Sequence, residues 1–244
     1  MKPFVLLATR AEDLPADEEY ALFRRFTGLR EDELIRVRLE SSPMPELDLT
    51  ELSGIFVGGG PFNASDPEST KSTTQRRVEA EFSALLDRVV AQDFPFLGAC
   101  YGVGTVGLHQ GALIDATHKE PISVIDVQRT PEGAVDPLLE GIPDEFTAFV
   151  GHKEAVARLP KNATLLARGD ACPVQMFRIG ENVYATQFHP EVDLDGMTTR
   201  IHAYADYGYF LPEEKQATLE AVRRAPVEHT AKILRTFAQR YARS

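Results

Sequence analysis

The chain has 244 residues, and its 26 Lys plus Arg against 37 Asp plus Glu give a net charge of −11, which excludes a surface built to neutralise nucleic-acid phosphates. Apolar residues at 43% and charged residues at 26% match an ordinary globular protein rather than a disordered one, and no apolar run approaches the roughly 20 residues needed to span a bilayer. Cys100 and Cys172 are the only cysteines and allow one bridge at most, so the expectation is a core-stabilised, cytoplasmic protein in a reducing compartment with no membrane partner.

Strand-length apolar runs alternate with segments of helical period, the pattern of a mostly parallel sheet covered by helices on both faces. Phe4–Ala8 is the first predicted strand, and the opening segment reaches charge at Arg10 without a signal-peptide cleavage region. Glu18–Phe26 places Tyr20, Phe23 and Phe26 on one helical face. Leu34–Leu39 and Gly54–Val57 follow as strands, the second running straight into Gly58-Gly59-Gly60-Pro61. From Gln75 to Gln92, Val78, Phe82, Leu85, Leu86, Val89 and Val90 recur at helical spacing and predict an amphipathic helix. The next strand, Phe94–Leu97, ends at Gly98-Ala99-Cys100-Tyr101-Gly102.

Short strands are then predicted at Ile122–Gln128, Phe146–Val150, Thr164–Ala167, Gln175–Ile179 and Val183–Phe188, forming a small β extension. From Gly196 onward the composition is helical, with Pro226 placed for a first helical turn and Leu234, Phe237 and Tyr241 forming a stripe. No internal repeat or linker divides the chain, so one domain spans residues 1–244, with a core of about 1–195 and a helical extension of about 196–244.

Cys100 sits where a strand ends and a helix begins. Small neighbours let the backbone approach itself there and aim the thiol above the sheet edge, and a helix N-terminus favours the thiolate. A cysteine nucleophile needs a base, and the base needs an orienting group. In Gln187-Phe188-His189-Pro190-Glu191 the histidine and glutamate lie two apart in an extended segment and point to one side, so the carboxylate can hold the imidazole tautomer. The exposed N–H groups of Gly58-Gly59-Gly60 at another strand end can receive charge developing on an oxygen. Each string alone also fits an ordinary glycine-rich turn or loop.

The three strings in this order, each at a strand end, resemble the class I (triad-type) glutamine amidotransferases over most of residues 1 to about 195. Gly151-His152-Lys153-Glu154-Ala155-Val156, Leu159-Pro160 and Ala171-Cys172-Pro173-Val174-Gln175 look like the amidotransferase domain of GMP synthase in particular. The resemblance implies an α/β, flavodoxin-like three-layer sandwich. It implies Cys100 as nucleophile, His189 as base and acid, Glu191 as its orienter, and an oxyanion hole from the N–H groups of Gly60 and Tyr101. Gly59, Gly104, His152 and Glu154 are the substrate-binding expectations.

Two departures stand out. The family commonly has a glutamine four positions after the nucleophile, where this chain has Gly104, and Glu154 stands where an aspartate is usual. The expected activity is a thiol amidohydrolase that cleaves the side-chain amide of glutamine or a γ-glutamyl compound, without cofactor or metal. The ammonia goes to a separate synthase subunit or is simply released, since no ATP-binding synthase segment is present. The alternative is a non-catalytic binding or regulatory member that has lost glutamine specificity, for which Gly104 is the sequence argument.

Overall fold

A computed structural model describes residues 1–205 and 207–244. Its strands are β1 (Phe4–Ala8), β2 (Leu34–Arg38), β3 (Gly54–Val57), β4 (Phe96–Ala99), β5 (Leu113–Asp115), β6 (Glu120–Arg129), β7 (Glu145–His152), β8 (Ala155–Arg158), β9 (Ala163–Arg168), β10 (Met176–Ile179) and β11 (Val183–Thr186). Its helices are α1 (Asp13–Thr27), α2 (Thr73–Ala91), α3 (Tyr101–His109), α4 (Pro131–Val135), α5 (Leu194–Ala203), α6 (Lys215–Arg224) and α7 (Thr230–Tyr241).

Among the described residues, a nine-stranded sheet runs β2-β1-β3-β4-β11-β10-β9-β6-β7. The first five strands pair in parallel, and the rest continue the sheet antiparallel. This is the flavodoxin-like α/β sandwich, whose parallel half carries its chemistry at the carboxyl ends of the strands. A separate antiparallel pair, β5 with β8, lies beside it.

The parallel strands are apolar on both faces because both are covered. In β1, Val5 and Leu7 join the core under α2 and α3, with Val78, Phe82 and Val103. Phe4 and Leu6 join the opposite core under α1 and α7, with Phe23, Ile233 and Phe237. A third cluster, with Ile122, Phe149, Met197, Ile201 and Val222, packs α5 and α6 over the antiparallel strands. Ser72 caps α2 by accepting from the Gln75 N–H, and Gly28 (φ 77°) closes α1 in the left-handed conformation that glycine adopts at no steric cost. No described helix is long and apolar enough to cross a membrane.

Several boundaries differ from expectation, and three have a local cause or consequence. β4 starts two residues late, at Phe96, because Asp93 turns the chain at φ 46° and Pro95 has no N–H for the ladder. β11 stops at Thr186, ahead of the Gln187–Glu191 segment. Pro226 lies in the connection between α6 and α7, not in a first helical turn. Its carbonyl accepts the Thr147 hydroxyl, which ties this connection to β7.

Candidate active site

Cys100 is the hinge between β4 and α3, with φ 52° and ψ −86°, a conformation costly for a residue with a Cβ. Its own N–H is held by the Thr186 carbonyl at 2.7 Å, and its carbonyl accepts from Val103 at 2.9 Å. The tightness explains the flanking glycines: a methyl group on Gly98 would meet the Gly102 Cα at 2.7 Å. Cys100 is partly exposed. Burial pushes its thiol up to about 12; Arg10 and Arg200 pull the other way, and Glu191 and Glu154 add to the rise. Burial therefore favours the thiol, against the thiolate expected from the helix N-terminus.

His189 follows β11, and its backbone N–H donates to the Phe149 carbonyl at 2.9 Å. The buried Phe188 beside it meets Phe146 edge-on at 5.7 Å between ring centres, which anchors the segment. His189 Nδ1 lies 2.8 Å from Glu191 Oε1, so the pairing expected from the two-residue spacing is present. Burial lowers the His189 pKa, opposed by Glu191 and reinforced by Arg200 and Arg10. Glu191 is fully buried. Burial alone would raise it, but His189 and the Arg200 guanidinium hold it well below the usual carboxylate range.

Two narrow adjoining clefts meet at Cys100. Gly60, Cys100 and Tyr209 line both, Tyr101 lines the first and His189 the second. Among the described residues, neither the Gly60 nor the Tyr101 N–H donates to a backbone acceptor, and no hydrogen bond joins Cys100 to His189. The two side chains face one shared space, as is common before a substrate draws them together.

The other expected substrate residues divide. Gly59 backs the histidine: a methyl group there would meet His189 Cε1 at 2.8 Å and an Arg10 nitrogen at 2.7 Å. Gly104 lines the first cavity, but the space above it is taken, since a methyl group would meet Glu154 Oε1 at 2.8 Å and the Ala64 Cβ at 2.9 Å. Glu154 lines that cavity too, and its carboxylate accepts from the Ala64 N–H (2.7 Å), the Ser65 N–H (2.7 Å) and the Ser65 hydroxyl (2.6 Å). His152 lines it with both ring nitrogens engaged, Nδ1 at the Glu154 carbonyl and Nε2 at Glu120 Oε2, each 2.9 Å.

Several residues at the site carried no signal in the sequence. Arg10, at the end of β1, pairs with Glu19 of α1 at 2.9 Å, and Arg200 of α5 reaches Glu19 at 3.3 Å and Glu191 at 2.9 Å. All are buried, although each looks in sequence like one more charge on a helix or loop. Gln187 lines the first cavity with a side-chain oxygen that has no hydrogen-bond partner among the described residues. Tyr209 covers the site, with the Lys153 ammonium 4.8 Å from its ring centre.

Among the described residues, Glu120, His152 and Cys172 form a buried group with ligand atoms within 4.8 Å of one another. These atoms already hydrogen-bond within the protein: His152 to Glu120, Glu120 from Gln175 at 2.7 Å, and Cys172 to the Val174 carbonyl at 3.4 Å. Asp193 caps α5 through the Gly196 N–H and pairs with Arg25.

The whole architecture is shared with solved amidotransferases. A glutamine amidotransferase from Thermotoga maritima superposes with a TM-score of 0.77 over 99% of this chain and 98% of its own, at 22% identity. One from Methylobacillus flagellatus does so with 0.70 over 100% and 97%, at 17% identity. These likenesses define an α/β protein of the amidotransferase fold. Residues 19–203 match the model of glutamine amidotransferase class-I, and the chain belongs to that family. Its similar relatives include a subunit of the glutamine-hydrolysing GMP synthase from Thermococcus kodakarensis, 28% identical over 62% of this chain and 73% of that protein. The corresponding subunit of the Methanocaldococcus jannaschii enzyme is 29% identical over 62% and 72%.

Proposed function

We propose that this protein hydrolyses the side-chain amide of glutamine or of a γ-glutamyl compound, with Cys100 as nucleophile, His189 as base and acid, and Glu191 as orienter. The carrying observation is the strained Cys100 opening onto the same cavity as the His189–Glu191 pair. Because burial keeps Cys100 a thiol, His189 takes its proton as sulfur attacks the amide carbon. The lowered His189 pKa keeps the ring ready to accept it. The Gly60 and Tyr101 N–H groups receive the charge on the carbonyl oxygen. Collapse breaks the C–N bond, and His189 gives its proton to the departing nitrogen, releasing ammonia or an amine and leaving a γ-glutamyl thioester. Water, deprotonated by His189, then attacks the thioester, and glutamate leaves as the thiol re-forms.

This chemistry needs no metal or cofactor. The GMP synthase relatives are named as subunits, which supports transfer of the ammonia to a separate synthase subunit. The two free thiols suit the cytoplasm. The non-catalytic alternative has one observation in its favour: the Glu154 carboxylate already holds three donors and keeps little capacity for a substrate ammonium.

Incubation with glutamine and a panel of γ-glutamyl amides, measuring ammonia and amine, separates the two readings. Turnover lost in Cys100→Ala, with a diazoketone analogue of glutamine adding to Cys100 in the unaltered protein, is the expected result. Absence of turnover and of adduct across the panel would leave the binding reading standing.

A further inference from the structure

We propose that Arg200, on α5, is a positioning residue for the reacting histidine: its guanidinium neutralises Glu191 in place and keeps the His189 imidazole uncharged, with the proton on Nδ1. This deepens the proposed function and rests on it for its catalytic meaning.

One Arg200 nitrogen lies 2.9 Å from Glu191 Oε1 and 3.1 Å from His189 Nδ1, while Glu191 Oε1 is 2.8 Å from the same Nδ1. A guanidinium only donates, and an ionised carboxylate only accepts. Nδ1 either accepts from Arg200 or donates to Glu191. The shorter, charge-assisted bond to the buried carboxylate decides for donation. Nδ1 then carries the proton, and Nε2, which has no hydrogen-bond partner among the described residues, is the nitrogen left to take one from Cys100.

The charge balance reinforces this. A buried carboxylate alone beside an imidazole would draw a second proton onto the ring, because a lone buried charge is costly. Arg200 removes that demand. Glu19 bridges Arg200 at 3.3 Å and Arg10 at 2.9 Å, and Arg10 also donates to the Tyr204 hydroxyl at 3.0 Å. Two guanidiniums thus at least balance the two carboxylates, since burial opposes ionisation of Glu19, and a further proton on the ring would leave a buried net positive charge. The groups around His189 are Glu191 on its own segment, Arg200 from α5, Arg10 after β1, Glu19 from α1, Cys100 before α3, and Tyr204 and Tyr209 after α5. None of the others supplies a cation within hydrogen-bond reach of Nδ1.

The test reads the ring itself. In nitrogen-edited NMR of the unaltered protein at pH 7, His189, assigned by the signal lost in His189→Gln, is expected as the neutral Nδ1–H tautomer. An imidazolium or an Nε2–H tautomer overturns the proposal. In Arg200→Gln the His189 titration is expected to move up by about one to three pH units, and in Arg200→Lys to stay near the original. An unmoved titration in Arg200→Gln, folded by its Tm, overturns it as well, and if that variant does not fold the tautomer measurement still decides. The acid limb of kcat/KM should follow the titration, with kcat at pH 7 falling about tenfold for each unit by which the pKa exceeds 7 and KM little changed. A protein with no amidase activity would end the proposed function, yet the NMR result would still stand for or against Arg200.

Discussion

At Cys100 the demands of folding and of chemistry conflict. A φ of 52° is worth about 1–3 kcal/mol of strain in a residue other than glycine, and the proposed role of the sulfur as nucleophile accounts for it. Cys100→Gly should therefore raise or preserve the Tm while abolishing amide hydrolysis, whereas a clear loss of stability would show that the sulfur is held for packing. Gly104 and Glu154 make the complementary case. Gly104→Gln should cost about 1–3 kcal/mol by overpacking, since the Glu154 carboxylate occupies the space above Gly104. Adding Glu154→Ala should recover part of that cost, and strictly additive losses in denaturant titrations would mean that the two side chains do not compete. Cys100, His189 and Glu191 were legible because their neighbours in the chain are their neighbours at the site. Arg10, Glu19 and Arg200 were not. Each comes from a different element, and burial of a lone charge on an otherwise ordinary helix becomes visible only once its partners have been brought together from distant positions.

Between elements, the site depends on how closely α3 is delivered by β4. Gly98 and Gly102 approach until a methyl group on Gly98 would sit 2.7 Å from backbone, and backbone cannot rotate away as a side chain can. Gly98→Ala should therefore destabilise by several kcal/mol or prevent folding, and equilibrium unfolding of the variant checks it. The parallel strands β1 and β3 were readable as unbroken apolar runs, because both of their faces are buried, and α2 because its apolar residues repeat at helical spacing over several turns. β5 and β8 reach a charged residue, Asp115 and Arg158, after only two and three apolar ones. They are defined by pairing with each other, which is tertiary information. α7 carries a different lesson. Phe237 packs 5.0 Å from Phe56 and 6.3 Å from Phe4 between ring centres, so the end of the chain completes the core over β1 and β3. Phe237→Ala should cost about 3–5 kcal/mol, a loss that would be absent if α7 were a dispensable appendage.

Across the whole molecule, the buried ionisable groups set a pH window for stability with a distinct cause at each edge. His189 and Glu191 have lowered pKa values in the folded protein, so the unfolded chain binds protons that the folded one refuses. Stability is complete above their ordinary values of 6.5 and 4.5 and is lost as pH falls below them. Cys100 and Cys172 are pushed the other way, each from 9.0 to about 12, so the folded state keeps thiol protons that the unfolded chain gives up. That contribution is complete below pH 9 and is lost as pH rises through the interval towards 12. Glu19 and Glu154 are raised by burial and offset part of the acid-side loss, so the sharper edge is the alkaline one, with Tm falling from its plateau above about pH 9. The alkaline edge can be assigned, because between pH 9 and 10 the thiols titrate in the unfolded chain ahead of ordinary tyrosine and lysine. In Cys172→Ala the fall in Tm across that interval should be shallower than in the unaltered protein, even though the plateau itself is lower from lost packing. An equal fall in both would assign the alkaline edge to groups other than the buried thiols.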